Sequence, residues 1–190
     1  MSAQLWKRAR LRRHDHLPIR STFAYCRLQN WSEKKMSAAK ILPKIEGEEL
    51  SAFQAEWNQH PGMRHMGAEL DLSTPEVVRA VVDPIQPEHR GGLGTEAVNG
   101  AVIAGIFDLV IGLCGYLQTV GRRAGVAQMS VQFLRPVNGT RFEVVGHPVR
   151  AGNTLVFATA ELRDERGIVC ARCDGIVAVS GKDVGARPAF

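Results

Sequence analysis

Aromatic residues are scarce, at 6 % of 190 with only two tyrosines. A stacking platform for single-stranded nucleic acid needs more rings than that. No long apolar run is uninterrupted. The longest, residues 97–120, is broken by Asp108 and carries Gly100, Gly105, Gly112 and Gly115, which makes it a poor membrane span. No secretory apolar core opens the chain. Cysteines are few: Cys26, Cys114, Cys170 and Cys173. Cys170-Ala-Arg-Cys173 has CxxC spacing, but no second pair completes a zinc site, and residues three apart in a strand face opposite ways. These thiols are expected to be structural and reduced, in a cytoplasmic setting, with no metal. Repeats and low-complexity tracts are also missing. What is present is ordinary for a globular chain, 45 % hydrophobic and 23 % charged, which excludes global disorder.

The formal charge of +5 points at first to an anionic partner. Its distribution removes that reading. Residues 1–35 hold nine basic and two acidic side chains, a charge of +7, and the remaining 155 hold 15 basic and 17 acidic, a charge of −2. The first 35 residues show no sustained apolar period. They are expected to be a disordered basic extension, or sequence upstream of a true start at Met36. A targeting segment or a basic arm for nucleic acid or a membrane surface is the alternative. Residues 36–182 are expected to form one domain and 183–190 a tail, with neither nucleic acid nor membrane as a partner of the domain.

Leu50, Phe53 and Trp57 recur at helical spacing over residues 48–60, and His60-Pro61-Gly62 ends that helix. Residues 66–72 and 76–82 read as a hairpin across Ser73-Thr74-Pro75. Residues 83–96 read as a Pro- and Gly-rich loop, followed by a long helix over about 97–120. Four β segments complete the domain, at 124–134, 140–150, 154–164 and 168–179, joined by short turns that imply antiparallel pairing. The order lacks βαβ alternation, so the fold class is α+β, with a long antiparallel sheet and one helix laid on it.

That helix carries the chemistry. Each interior glycine costs about 0.8–1 kcal/mol relative to alanine. Close packing against a sheet or a partner helix must offset this. The helix is apolar nearly all round and is expected to be largely buried, and Asp108 is its only charge between Glu96 and Arg122. A carboxylate there is costly unless paired or protonated, which marks Asp108 as a candidate general base or nucleophile. At the helix start, Asn99-Gly100 offers amides without internal partners, and glycine admits a ligand closely. An oxyanion site and a plain Asn cap both fit. Gly100 and Asp108 are about 12 Å apart along the axis. They can meet at one carbonyl only from different chains, as in a two-fold dimer with antiparallel helices.

Residues 89–180 resemble the hotdog-fold acyl-CoA thioesterases of the PaaI-like and 4-hydroxybenzoyl-CoA thioesterase group. The resemblance rests on Asn99 to Asp108, where that family has His-Gly-Gly and an Asp nine residues after the His. It also rests on Val131-Gln132-Phe133-Leu134-Arg135-Pro136 and on the turns at Ala151-Gly152-Asn153 and Asp164-Glu165-Arg166-Gly167. It implies a sheet wrapped around the central helix, hydrolysis of an acyl- or aryl-CoA thioester, and no cofactor beyond the CoA of the substrate. It implies a homodimer or a dimer of dimers (a homotetramer). By resemblance Asp108 activates water or attacks the thioester, the Gly100 amide polarises its carbonyl, and Asn99 orients it beside Ala101. Pantetheine would lie along Val126, Ala127 and Gln128 with Phe133 nearby, and Arg122, Arg123 and Arg150 would meet the CoA phosphates. The chain departs from the family at Asn99 (His), Ala101 (the second Gly), Leu93 (Asn), and Val126 or Ala127 (Ser or Thr). Asn99 does not titrate near neutrality, so proton chemistry falls to Asp108. The alternatives are a non-catalytic acyl-CoA-binding module or sensor, and a dehydratase using His89.

Overall fold

The computed structural model describes residues 43–92 and 96–183. The basic segment 1–35, with Cys26, and the tail 184–190 lie outside the described residues, as does Leu93.

Helix α1 (Gly47–Gln59) buries Leu50 and Phe53, and Glu48 and Glu49 suit the positive end of its dipole. Pro61 opens the short helix α2 (Pro61–His65), where the Gly62 N–H donates to His60 Nδ1 at 3.1 Å. Strands β1 (Ala68–Asp71) and β2 (Val78–Val82) form the expected hairpin, with Ala68 opposite Val82. The outer edge of β1 is covered by α1. Leu70 exchanges two hydrogen bonds with the Asn58 side chain, and the Leu72 N–H donates to Gln54 Oε1 at 2.7 Å. An otherwise open sheet edge is thereby satisfied.

Within the expected loop 83–96, the described residues are more structured than a loop. Pro87–His89 forms a 3-10 turn, and β3 (Arg90–Gly92) pairs with β4 (Ala97–Val98). The pairing extends into the rest of the chain, which is why the segment is not a free loop. The Val98 N–H donates to Val137 O at 3.0 Å, the Ile85 N–H to Thr140 O at 2.7 Å, and Arg90 Nη2 to Gly139 O at 2.9 Å.

Helix α3 spans Gly100–Tyr116, shorter at both ends than the expected 97–120. Its start is displaced because residues 97–98 are recruited as strand and Asn99 caps the helix. Its end comes early because Gln118 and Thr119 turn back with bonds to Gly115 and Tyr116 carbonyls, ahead of Gly121 at φ 86°. Four long strands follow: β5 (Arg122–Phe133), β6 (Phe142–Ala151), β7 (Leu155–Asp164) and β8 (Val169–Asp183). They complete an antiparallel six-stranded sheet of order β1-β2-β6-β7-β8-β5, with α3 against one face. The architecture is the α+β arrangement inferred from the pattern.

Glycines set the helix–sheet distance. Gly115 lies against the buried side chain of Val177, Gly146 receives Val110, and Gly175 receives Ile111. Ile106, Phe107, Val110 and Ile111 are completely buried as a result. Cys170 and Cys173 depart from the expectation of opposite faces. A register shift between Leu162 and Arg163 places an extra residue in β8, and both thiols are buried. Gly115→Ala tests the close approach. It is expected to lose roughly 1–3 kcal/mol in urea unfolding, despite alanine's advantage of about 1 kcal/mol in a helix. A raised midpoint would contradict this packing.

Candidate active site

The start of α3 is anchored on both sides. The Asn99 N–H donates to His89 O at 2.8 Å, and the Ala101 N–H donates to Asn99 Oδ1 at 2.8 Å. Asn99 is therefore an N-cap, and its Nδ2 is the part of the amide that can still serve a ligand. The same bond occupies the Ala101 amide. Gly100, at the first helical position, carries an amide that no intrahelical carbonyl can accept. The Phe133 ring, from the end of β5, lies beside it: a Cβ on Gly100 would stand 3.4 Å from Phe133 Cζ. Phe133 is 57 % exposed, so a helix-terminal amide and an aromatic wall open together to the surface.

From there α3 runs antiparallel to β5. Gly100 faces Phe133, and twelve residues later a Cβ on Gly112 would be 3.6 Å from Val126 Cγ2. Asp108 lies between, about 12 Å from Gly100. Its charge reaches Cys173, which pairs with Val131 of β5. That thiol is pushed up to about 11, first by burial and then by Asp174 and Asp108.

The burial expected of Asp108 is not observed within one chain. Ala101 and Asp108 are exposed, and Ala104, Gly105, Leu109 and Gly112 are half-buried. The helix buries one face on the sheet through Ile103, Ile106, Phe107, Val110, Ile111 and Cys114. On the stripe turned away Ala101 and Asp108 stay uncovered, while the Met66 side chain lies against Gly105. The surrounding apolar surface still desolvates Asp108 and holds its carboxyl above the ordinary aspartate value of 3.8.

Val126 is half-buried on the helix side of β5. Ala127 is a bulge residue, since Val126 pairs with Val177 and Gln128 with Ile176; Ala127 and Gln128 are exposed. Among the described residues β5 pairs only with β8, so its other edge is open. The three arginines share the far end of the sheet. Arg122 is committed there: Nε donates to Ser180 O at 2.7 Å and Nη1 to Asn153 O at 2.9 Å, joining β5 to β8 and to the β6–β7 turn. Arg123 and Arg150 are exposed. One chain thus gathers Asn99, Gly100, Ala101 and Phe133 at one end of β5, Asp108 at its middle, and Val126–Gln128 with the arginines toward the other.

His89 is 5 % exposed, and its Nδ1 accepts from the Gln86 N–H at 3.1 Å. Burial lowers its pKa, with Glu88 raising it and Arg90 lowering it further. An imidazole whose acceptor nitrogen is already engaged is not free to act as the dehydratase base considered above. Nothing in the sequence marked it as a buried turn residue, because His89 sits among charged neighbours. No cluster of three or more His, Cys, Asp or Glu that could hold a metal occurs among the described residues. None of the described helices is long and apolar enough to cross a membrane.

Residues 96–171 match the family model described as Thioesterase superfamily. The chain is 29 % identical over 125 residues to the medium/long-chain acyl-CoA thioesterase YigI of Escherichia coli, covering 58 % of this chain and 80 % of that protein. Among solved structures, a thioesterase from Haemophilus influenzae superposes with a TM-score of 0.66 at 16 % identity, covering 78 % of this chain and all of that one. A Shewanella oneidensis protein related to the thioesterase superfamily gives 0.62 at 25 % identity, covering 70 % and 96 %. The E. coli PaaI protein from the phenylacetic acid degradation operon gives 0.61 at 14 % identity, covering 70 % and 94 %.

The cap yields a direct prediction. Asn99→Ala is expected to cost about 0.5–2 kcal/mol of unfolding free energy, and Asn99→Asp, which keeps the acceptor, much less. Equal losses in chemical denaturation would show that the cap is not the stabilising contact.

Proposed function

We propose that this hotdog-fold relative of the acyl-CoA thioesterases hydrolyses an acyl-CoA or aryl-CoA thioester to the free acid and CoA. Thioester hydrolysis is supported by the superfamily match across the helix and the three strands behind it. The observation that carries the finer mechanism is the placement of Asp108 and Gly100 on one helix. They are too far apart to share a carbonyl, with Asp108 on the stripe that one chain leaves open and Gly100 beside it against Phe133.

A second copy of the chain completes the site in this reading. Two α3 helices packed antiparallel about Ala104, with Ala101 and Asp108 on the shared face, place Gly100 of one protomer near Asp108 of the other, twice. The open β5 edge lies beside the same stripe and is the kind of edge a partner covers. The thioester carbonyl oxygen accepts from the Gly100 N–H, at the positive end of the helix dipole. Asp108 takes a proton from water as the water oxygen bonds to the carbonyl carbon. The tetrahedral intermediate collapses, the C–S bond breaks, and the proton held on Asp108 passes to the departing CoA sulfur. Direct attack by the Asp108 carboxylate, through a mixed anhydride that water then opens, is the nucleophilic variant. Asn99 Nδ2 orients the carbonyl or the water. Pantetheine runs past Phe133 and the Val126–Gln128 bulge, and Arg123 and Arg150 take the phosphates, with Arg122 holding that end of the sheet in place. No cofactor is required. The name of the YigI relative makes medium- and long-chain acyl-CoAs the first substrates to assay. A dimer of dimers would repeat the same site. An acyl-CoA-binding module without chemistry is the second reading, favoured by Asn99, whose amide neither gives nor takes a proton near neutrality.

Asp108→Asn is expected to lower kcat roughly 100-fold or more without lowering the thermal midpoint, because the desolvated charge is unfavourable to the fold. Wild-type rates in that variant would remove Asp108 from the mechanism. Since the carboxyl titrates above its ordinary value and the base form acts, activity should rise with pH through an apparent pKa above 3.8. That limb should vanish in Asp108→Asn.

Gly100→Pro removes the proposed donor at the one helical position where proline is well accommodated, and Asn99, at φ −65° and ψ 137°, already has the backbone a following proline needs. Each variant alone should be inactive. Mixing and reassorting the two should restore about a quarter of wild-type activity, because half the dimers are mixed and each mixed dimer holds one intact site. A mixture as inactive as its components would place both residues in a site within one chain.

A further inference from the structure

We infer that His89 is a positioning residue for the Gly100 amide, acting through the hydrogen bond between its own carbonyl and the Asn99 N–H. The inference deepens the reading above, since it assumes that the Gly100 N–H is the oxyanion donor.

The direction of the Gly100 N–H is the direction of the Asn99–Gly100 peptide plane. Three bonds orient Asn99: its N–H to His89 O at 2.8 Å, its Oδ1 from the Ala101 N–H at 2.8 Å, and its carbonyl from the Ile103 N–H at 3.2 Å. The last two belong to the helix and move with it. The first lies in the preceding Val98–Asn99 plane and ties the chain entering Asn99, and with it the torsions that aim the Gly100 N–H, to a fixed point outside the helix.

His89 has the features of such a point. It is a buried polar residue in a turn, and its ring is used for holding rather than for chemistry. Its N–H donates to Gln86 O at 3.1 Å, and its Nδ1 accepts from the Gln86 N–H at 3.1 Å, so two bonds close the same short turn from both sides. With Nδ1 accepting, the ring proton resides on Nε2. The other flank of the ring rests on Gly67, whose φ of +58° favours glycine and whose missing side chain leaves the space. A Cβ there would stand 2.8 Å from Cε1 and 3.1 Å from Nε2. An apolar side chain would fill the volume but take away the acceptor of the part-buried Gln86 N–H and with it one of the two bonds that close the turn. The turn would loosen, and the carbonyl that holds Asn99 would lose its fixed direction. A donor displaced by a fraction of an ångström to an ångström from the developing oxyanion loses much of its effect. Ground-state binding along β5 is untouched.

Two substitutions separate holding from filling. His89→Leu keeps bulk and removes the acceptor. His89→Asn places an amide oxygen near the position of Nδ1 and keeps it. His89→Leu should lower kcat about 10-fold or more with KM within about two-fold, and His89→Asn should restore most of the loss. Gly67→Ala, which pushes the ring from its far side, should reproduce the kcat defect with the same unchanged KM. Hydrogen–deuterium exchange over residues 97–103 reads the same effect without turnover: faster in His89→Leu, at the wild-type rate in His89→Asn. Wild-type kcat and wild-type exchange in His89→Leu would overturn the inference, as would equal defects in both His89 variants tracking a common fall in thermal midpoint. If the wild type hydrolyses no acyl-CoA while the exchange pattern appears, the proposed function fails and the positioning role stands. If the wild type is active and neither kcat nor exchange responds, the positioning role alone fails.

Discussion

The close approach of α3 to the sheet is the constraint on which the site depends. Three glycines create it, Gly115 on the helix and Gly146 and Gly175 on the strands. Each removes a Cβ where a branched side chain from the opposite layer must enter. The helix is thereby pinned in azimuth as well as distance, because Val110 and Ile111 have only one place to go. Once that face is committed, the opposite stripe, with Ala101 and Asp108, is turned outward. The position of the candidate base follows from packing on the other side of its helix.

The two margins of the sheet are treated differently, and the difference frames the site. At β1, side chains of α1 bond backbone groups of Leu70 and Leu72 that no neighbouring strand pairs. At β5 the twelve-residue edge is bonded on one side only among the described residues, next to the uncovered helix stripe. On that stripe the apolar surface is what water contact disfavours, while exposure is what keeps the Asp108 carboxylate tolerable. A second copy seated on both features would cover the apolar part of the stripe and the β5 edge, and would desolvate Asp108 further. The polar end of the helix is managed separately, by the Asn99 cap and by the His89 turn behind it.

Legibility in the sequence followed the range of the interaction. Leu50, Phe53 and Trp57 marked α1 to within a residue, and the four long strands were bounded to within a few residues by their turns. The ends of α3 were misplaced because an apolar run carries no information about where its hydrogen bonds stop. Val98 pairs with Val137, and Thr119 folds back on Gly115, through contacts that composition does not announce. Arg122 looked like any surface cation and proved to bind two backbone carbonyls, one in β8 and one in the β6–β7 turn. The β-bulge at Cys170 was equally hidden, since one inserted residue shifts strand facing without altering the pattern of residue types.

Residue order alone established that one carboxylate interrupts an apolar, glycine-rich helix, that an Asn-Gly pair opens it, and that the two lie too far apart to act together in one chain. Those are statements about spacing along a helix, whose rise per residue is constant whatever surrounds it. The uncovered stripe, the burial of His89 and the release of Arg123 and Arg150 from the duty that holds Arg122 came from the assembled fold. Each depends on which strands end up adjacent, and strand order arises from pairings between residues tens of positions apart, which no local period encodes.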